Sequence, residues 1–384
     1  MKHLLNLQDF QRAAHRHLPK PLYEYIAGAV EDNRSLNGNT HSFQRYAFFP
    51  RVLRNVAVRT SKTELFSHEY AGPFGIAPMG IAAMYAYRGD IVLARAARDA
   101  NIPVIMSGSS LIPLEEVIKV NPHAWFQAYV PGDEINIRAL IARVASAGFQ
   151  TLVITVDTPV AANRENNVRA GFSTPLRPGI KLAWEGVKHP RWLVNTLLRT
   201  LVRHGMPHFE NNYAHRGAPI ISSNVARDFS DRGHFEWSHI ALIRGLWAGK
   251  LVIKGILHPA DAVRAVQLGA DGIIVSNHGG RQLDGAVSPL RVLPNIVQVC
   301  PGVPVMLDGG VRRGSDVLKA LALGASFVFV GRPFAYAAAV GADRGVLHAA
   351  RLLADEVDRN MGMLGIRTLA ELDRDCLLRD DQTL

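Results

Sequence analysis

Two cysteines, Cys300 and Cys376, in 384 residues cannot form a disulfide framework, and their scarcity fits a reducing compartment. Long apolar runs are missing too. No stretch of about 18 uncharged, apolar residues appears, so no spanning helix is expected. The opening Met1-Lys2-His3-Leu4-Leu5-Asn6 does not build a secretory signal, because Asp9, Gln11 and Arg12 arrive too early. The fifteen histidines are scattered without metal-ligand spacing, and no metal site is expected. Acidic residues are in deficit, 33 against 43 basic ones, for a net charge of +10. That balance favours an anionic partner: nucleic acid, acidic lipid or a small acid. No aromatic–basic interleaving or recognisable module supports nucleic-acid binding, so none is expected.

What is present is a large apolar fraction, 48%, arranged in eight short runs. They are Gly75–Pro78, Pro103–Met106, Ala124–Gln127, Leu152–Thr155, Leu251–Lys254, Ile273–Ser276, Val303–Leu307 and Phe327–Val330. Each is apolar almost throughout, as a strand buried on both faces must be. Helical patterns fill the gaps. One runs from Pro259 to Leu268 and stops at Gly269; another runs from Asp316 to Leu323, with Ser315 as its cap and Gly324 as its stop. Eight strand–helix units predict an α/β fold, a (β/α)8 TIM barrel. An open doubly wound sheet is the rival; the Gly-x-Gly-x-x-Gly expected after its first strand is absent. The whole chain, 1–384, reads as one domain. Residues 1–65 form an N-terminal helical extension with two short helices, 66–340 the barrel, and 341–384 a C-terminal helical segment. The gap between the fourth and fifth strands is too long for one unit, so a large insertion at 175–235 is expected after the fourth strand.

Polar residues gather where the strands should reach the top of the barrel, the end at which this fold builds active sites. They are Ser107, Gln127 with Tyr129, Thr155 with Asp157, Lys254, His278 with Arg281, Asp308, and Gly331 with Arg332. The most informative segment is Ser276-Asn277-His278-Gly279-Gly280-Arg281-Gln282-Leu283-Asp284. It places a proton acceptor and a guanidinium on one glycine-rich turn, which suits a small substrate with an oxidisable carbon beside a carboxylate. The last two turns, Asp308-Gly309-Gly310-Val311-Arg312-Arg313-Gly314 and Gly331-Arg332-Pro333, suit a phosphate. Other phosphate-binding barrels, such as dehydrogenases of nucleotides or isomerases of isoprenoid diphosphates, share that feature. They do not need His278 and Arg281 beside Tyr25 and Tyr129. A catalytically idle flavoprotein or membrane scaffold is a further alternative, against which the intact polar set argues.

These segments, with Trp125-Phe126-Gln127-Ala128-Tyr129 and Thr155-Val156-Asp157-Thr158-Pro159, resemble the FMN-dependent L-2-hydroxy-acid dehydrogenase and oxidase family over nearly the whole chain. The resemblance implies FMN as cofactor and oxidation of a 2-hydroxy acid to the 2-oxo acid. It implies His278 as catalytic base, Asp157 as its orienting carboxylate, and Tyr129 as partner of the substrate hydroxyl. It implies that Arg281, Tyr25 and Arg164 hold the substrate carboxylate. It implies that Ser107, Gln127, Thr155 and Lys254 contact the flavin ring, and that Asp308, Gly309, Gly310, Arg312, Gly331 and Arg332 hold the ribityl and phosphate. It further implies a quinone or other respiratory acceptor and a homo-oligomer, a tetramer. Three positions depart from common family residues: Ala29 replaces a glycine, Ser109 a pocket tryptophan found in some members, and Gly80 the alanine frequent in oxidases. The segments 84–89 and 252–257 look most like those of the lactate enzymes. Lactate is therefore the expected acid, with mandelate dehydrogenase or an oxidase that uses O2 as the alternative.

Within the insertion, Val194, Leu197, Leu198 and Leu201 recur at helical spacing, Arg199 and Arg203 lie off that stripe, and Trp192 sits near the start. This predicts a basic amphipathic helix that either packs on the barrel or lies in a membrane interface. The segment also resembles the membrane-associating insertion of the mandelate and lactate enzymes. Residues 188–208 are therefore expected to contact the membrane peripherally, on its cytoplasmic face, the inner membrane in a bacterium.

Overall fold

The structure, a computed structural model, describes residues 1, 3–130, 133–173, 176–177, 179–222 and 232–379. Residues 223–231 of the expected insertion and 380–384 of the C-terminal segment lie outside the described residues.

Eight parallel strands form one sheet: β1 Phe74–Ile76, β2 Ile105–Ser107, β3 Trp125–Ala128, β4 Thr151–Thr155, β5 Lys250–Ile256, β6 Gly272–Val275, β7 Val305–Asp308 and β8 Phe327–Val330. Each pairs with its neighbour in sequence, β8 pairs with β1, and a parallel bridge between Ile76 and Val104 closes the ring. The (β/α)8 barrel is therefore as expected, with strand ends shifted by a residue or two. Period-two alternation divides the side chains into two cores. Val153, Val252, Ile274, Met306 and Phe329 fill the barrel, whereas Leu152, Ile154, Leu251, Ile253 and Val328 face the surrounding helices. A hairpin of Thr63–Leu65 and His68–Tyr70 brings Leu65, Phe66 and Tyr70 onto the inner core. The sequence border at residue 66 thus falls inside one unit.

The N-terminal segment holds three helices where two were expected: α1 Leu7–His17, α2 Lys20–Ala27 and α3 Arg34–Gln44. The capping of α1 is local, with Asn6 and Asp9 exchanging side-chain-to-backbone hydrogen bonds. That of α3 comes from far along the chain: the Asp284 carboxylate accepts from the N–H groups of Asp32 and Ser35, at 3.1 and 2.8 Å. No local signal announces such a helix. The helix after β7 begins at Gly314, one residue before the expected cap Ser315. The Asp316 carboxylate closes that end by accepting from the N–H groups of Arg312 and Arg313.

The insertion also differs from expectation. Ile180–Lys188 is helical, and a second helix, α4 (190–204), follows Pro190. Its middle, Leu193–Leu198, is π-helical. A π segment shifts the register of the turns after it, so a stripe read at 3.6 residues per turn fails. Trp192 is buried and donates from its indole N–H to the Met84 carbonyl at 2.8 Å, and Leu193 and Leu197 pack against the outer core. Val194 and Leu198, assigned to the same stripe as Leu197, are exposed.

Candidate active site

Three consecutive left-handed residues make the turn after β6: His278 at φ 56°, Gly279 at 65° and Gly280 at 75°. Glycine is required at position 280, where a Cβ would lie 2.5 Å from the backbone nitrogen of Leu36. A non-glycine residue in this region costs roughly 1–3 kcal/mol and persists only when its surroundings force it. Here they do. Ser276 Oγ accepts from the His278 N–H at 3.0 Å, and Asn277 Oδ1 accepts from the Gly280 N–H at 3.1 Å. The Asn277 amide is itself paired reciprocally with that of Asn39 on α3.

The strained turn aims the imidazole between two partners. His278 Nδ1 lies 2.8 Å from Asp157 Oδ1, just beyond β4, and Nε2 lies 3.3 Å from Tyr129 Oη, just beyond β3. A carboxylate at Nδ1 fixes the proton there and leaves the Nε2 lone pair facing the cavity. Burial lowers the His278 pKa below its ordinary value, and Asp157 opposes but does not outweigh that. The ring is therefore neutral at neutral pH, as a base must be. Burial alone would raise Asp157; His278 and then Lys254 outweigh it and hold the carboxyl ionised, below its ordinary value.

Beside this pair stand guanidinium groups held by backbone oxygens. Arg281 Nη1 donates to the carbonyls of Tyr25 and Gly28, at 2.7 and 2.8 Å. Arg164 donates to the Arg281 carbonyl and, at 2.6 Å, to Gln282 Oε1. Arg332 donates to the carbonyls of Ile26, Gly279 and Gly28. Burial, then repulsion from Arg164, presses Arg281 down to about 10. Burial, then repulsion from Arg281 and Arg312, presses Arg332 down to about 9. Both remain charged at neutral pH, and their crowding sets up a demand for anions.

Under the turn lies a buried polar chain. Lys254 Nζ donates to Ser276 Oγ at 3.0 Å and pairs with Asp308 Oδ2 at 3.2 Å, while Ser276 Oγ donates to Asp308 Oδ1 at 2.6 Å. Burial would lower Lys254; Asp308, Asp157 and Tyr129 outweigh it, so the ammonium persists above its ordinary value. Ser107 donates to Gln127 Oε1 at 3.2 Å. Gln127 Nε2 and Thr155 Oγ1 are buried without a hydrogen-bond partner. Unsatisfied buried polar atoms are costly, and two beside a fixed ammonium call for a polar ligand.

One cavity is lined by Tyr25, Tyr129, Thr155, Arg164, Lys254, His278, Arg281, Asp308, Gly309, Gly310, Arg312, Gly331 and Arg332. Of the residues to which the resemblance gives a role, Ser107, Gln127 and Asp157 stand outside this lining, tied to it or to its neighbours by hydrogen bonds. The orphaned amide and hydroxyl, the ammonium and the arginine-rich rim of Arg312 and Arg332 fit a flavin ring and its phosphate. Gly310 is required by packing on α3: a Cβ there would lie 2.3 Å from the Asn39 carbonyl oxygen.

Sequence reasoning gave Ser276 and Asn277 no separate roles, although both lie in the singled-out segment, and it passed over Asn39 and Arg232. Nothing local marks Asn39 or Arg232. Arg232, from the end of the insertion, lines the cavity with its guanidinium 4.4 Å from the centre of the Tyr129 ring.

A closed barrel whose one cavity gathers an imidazole, a cluster of guanidinium groups, a buried ammonium and two glycine–arginine turns has the groups that a flavin-dependent oxidoreductase needs. The profile of the FMN-dependent dehydrogenase family matches residues 14–379. The chain is 37% identical to L-lactate dehydrogenase of Pectobacterium atrosepticum, over 97% of each chain. It is 35% identical to (S)-mandelate dehydrogenase of Pseudomonas putida, over 100% of this chain and 96% of that one. A solved structure of the monotopic membrane protein (S)-mandelate dehydrogenase matches with a TM-score of 0.89 at 35% identity, covering 98% of this chain and 100% of that one. The protein belongs to the FMN-dependent dehydrogenase family; it is a 2-hydroxy-acid oxidoreductase and its cofactor is FMN.

Proposed function

We propose that this protein oxidises an L-2-hydroxy acid, L-lactate foremost, to the 2-oxo acid and passes the electrons to a quinone or another respiratory acceptor. The observation that carries the reading is His278, oriented by Asp157 at 2.8 Å, facing Tyr129 at 3.3 Å, and sharing a cavity with Arg281 and Arg164. FMN, when bound, supplies the two-electron acceptor. The chain does the rest. Arg281, steadied by two carbonyls, holds the substrate carboxylate with Tyr25 and Arg164. Tyr129 hydrogen-bonds the substrate hydroxyl. His278 Nε2 takes a proton from the substrate, and Asp157 stabilises the resulting imidazolium. Ser107, Gln127, Thr155 and Lys254 hold the flavin ring, with Lys254 placing positive charge where the ring becomes electron-rich. Asp308, Gly309, Gly310, Arg312, Gly331 and Arg332 hold the ribityl chain and phosphate.

Lactate is supported by relatives of that name at 37 and 38% identity. One observation favours a larger acid such as (S)-mandelate. Gly80 and Ser109 face each other beside Tyr25: a Cβ on Gly80 would lie 3.2 Å from the Ser109 Cβ and 3.0 Å from Tyr25 Oη. That contact leaves no gap between the two residues, but small Ser109, with Phe209 and Ile220, walls the cavity without the bulk that a larger side chain would bring. Anaerobic titration with L-lactate, D-lactate, (S)-mandelate and glycolate tests both readings. Bleaching of the flavin band identifies the substrate, and reoxidation by quinone against air identifies the acceptor. No bleaching by any L-acid would defeat the proposal.

Membrane contact belongs to the same reading. No helix among the described residues is long and apolar enough to cross a membrane. The insertion instead exposes Ile180, Trp184, Val187, Val194, Leu198 and Val202, with Val202 at 85% and Ile180 at 92% accessibility. Lys188, Arg191, Arg199 and Arg203, also exposed, alternate with them along the chain. This surface suits shallow insertion into anionic lipid from the cytoplasmic side.

A further inference from the structure

The insertion does more than present an apolar face; its last described turn re-enters the active site. Arg232 and Tyr129 line the same cavity as His278, Arg164 and Arg281, and the Arg232 guanidinium lies over the Tyr129 ring at 4.4 Å. The ring's hydroxyl is 3.3 Å from His278 Nε2, and the phenol and imidazole are stacked with 26° between their planes. A cation on an aromatic face is held by the ring's electrons and in turn draws them away from the hydroxyl. Burial raises the Tyr129 pKa, and Arg232 is the largest influence opposing that, ahead of Lys254. Nothing in the sequence around 232 announces this contact.

We propose that Arg232 is a positioning residue for the oxidation: it fixes the Tyr129 ring and strengthens its hydroxyl as a hydrogen-bond donor to the substrate oxygen. That oxygen passes from hydroxyl to carbonyl as its carbon is oxidised. A stronger donor favours the state in which the proton has left toward His278 while the carbonyl is still forming. Arg281 and Arg164 serve the carboxylate; Arg232 serves the reacting oxygen through Tyr129. The inference rests on the reading of Tyr129 given above.

A double-mutant cycle on the FMN-loaded full chain tests it. The variants are Arg232→Met, Arg232→Lys, Tyr129→Phe and Arg232→Met/Tyr129→Phe, read by anaerobic flavin reduction with the acid that bleaches the wild type. Arg232→Met is expected to slow the reduction step on the order of ten-fold, with the concentration for half-saturation changing much less. Arg232→Lys, which keeps the charge, should recover part of the rate. On the Tyr129→Phe background, Arg232→Met should have little further effect, because the hydroxyl it acts through is gone. FMN content and melting temperature verify that each variant is folded; should Arg232→Met fail to fold, Arg232→Lys and Arg232→Gln carry the same cycle. An unchanged rate in the Arg232 variants, or the same ten-fold loss with and without the Tyr129 hydroxyl, overturns the inference. A wild-type protein that no L-2-hydroxy acid reduces would instead overturn the reading beneath it.

Discussion

Asn39 and Asn277 exchange a pair of hydrogen bonds, each 2.7 Å long, between the N-terminal helix α3 and the turn that carries His278. Both side chains are buried, so neither amide can turn to water instead. Asn277 also holds the Gly280 N–H, and the Asn39 carbonyl lies against Gly310. The N-terminal extension thus braces the turn that carries His278 and the loop at Gly310 together. Asn39→Ala should cost roughly 1–3 kcal/mol, since it removes two buried hydrogen bonds and leaves Asn277 only its contacts to the Gly280 N–H and the Val287 carbonyl. Thermal unfolding of the FMN-loaded protein measures this, with a loss of flavin-reduction rate expected beside it. An unaltered melting temperature would mean the brace carries no weight.

The pH dependence follows from His278. Its pKa is held below the ordinary 6.5, chiefly by burial. The base works only when neutral, so the rate falls as pH drops through the folded-state value. The acid limb of flavin reduction should therefore have its midpoint below 6.5. Stopped-flow rates between pH 4.5 and 8 with a non-titrating buffer series measure it; a midpoint above 6.5 speaks against a desolvated base.

Asp90 is a buried carboxyl outside the lining of the cavity. Its Oδ2 has no hydrogen-bond partner, and burial raises its pKa from 3.8 to about 7. A carboxyl with a raised folded-state pKa binds its proton more tightly folded than unfolded. Stability is therefore lost as pH climbs from 3.8 to about 7 and stays low above that. Asp90→Asn removes the penalty, so its gain in melting temperature should be larger at pH 8 than at pH 5. An equal gain at both values would contradict this.

The barrel was legible because strands buried on both faces must be apolar throughout, and eight such runs leave few other architectures. The site was legible where several chemical types crowd one short segment, as in Ser276 to Asp284. Asn39 was not, because a single asparagine on a helix gives no sign of a partner 238 positions away. Arg232 was hidden for the same reason. The face of α4 was misread because the π segment at Leu193–Leu198 breaks the period on which the reading relied.

Removing the whole insertion would not test the membrane contact cleanly. Deleting 180–215 would remove Trp192, which is bonded to Met84, and Phe209, which walls the cavity, so lost binding would be confounded with lost structure. Trp184→Ser with Val202→Ser alters only exposed side chains. The pair should weaken binding to vesicles of anionic phospholipid by roughly ten-fold or more, while flavin reduction stays within two-fold. Unchanged vesicle sedimentation would place the membrane contact elsewhere or nowhere.

The central claim is that the imidazole held by Asp157 and Tyr129 is the base. Anaerobic rapid mixing of His278→Gln with the acid that bleaches the wild-type flavin addresses it directly. The account predicts reduction slower by at least ~10²–10⁴-fold, with FMN still bound at full occupancy. Reduction within a few-fold of the wild-type rate would contradict it.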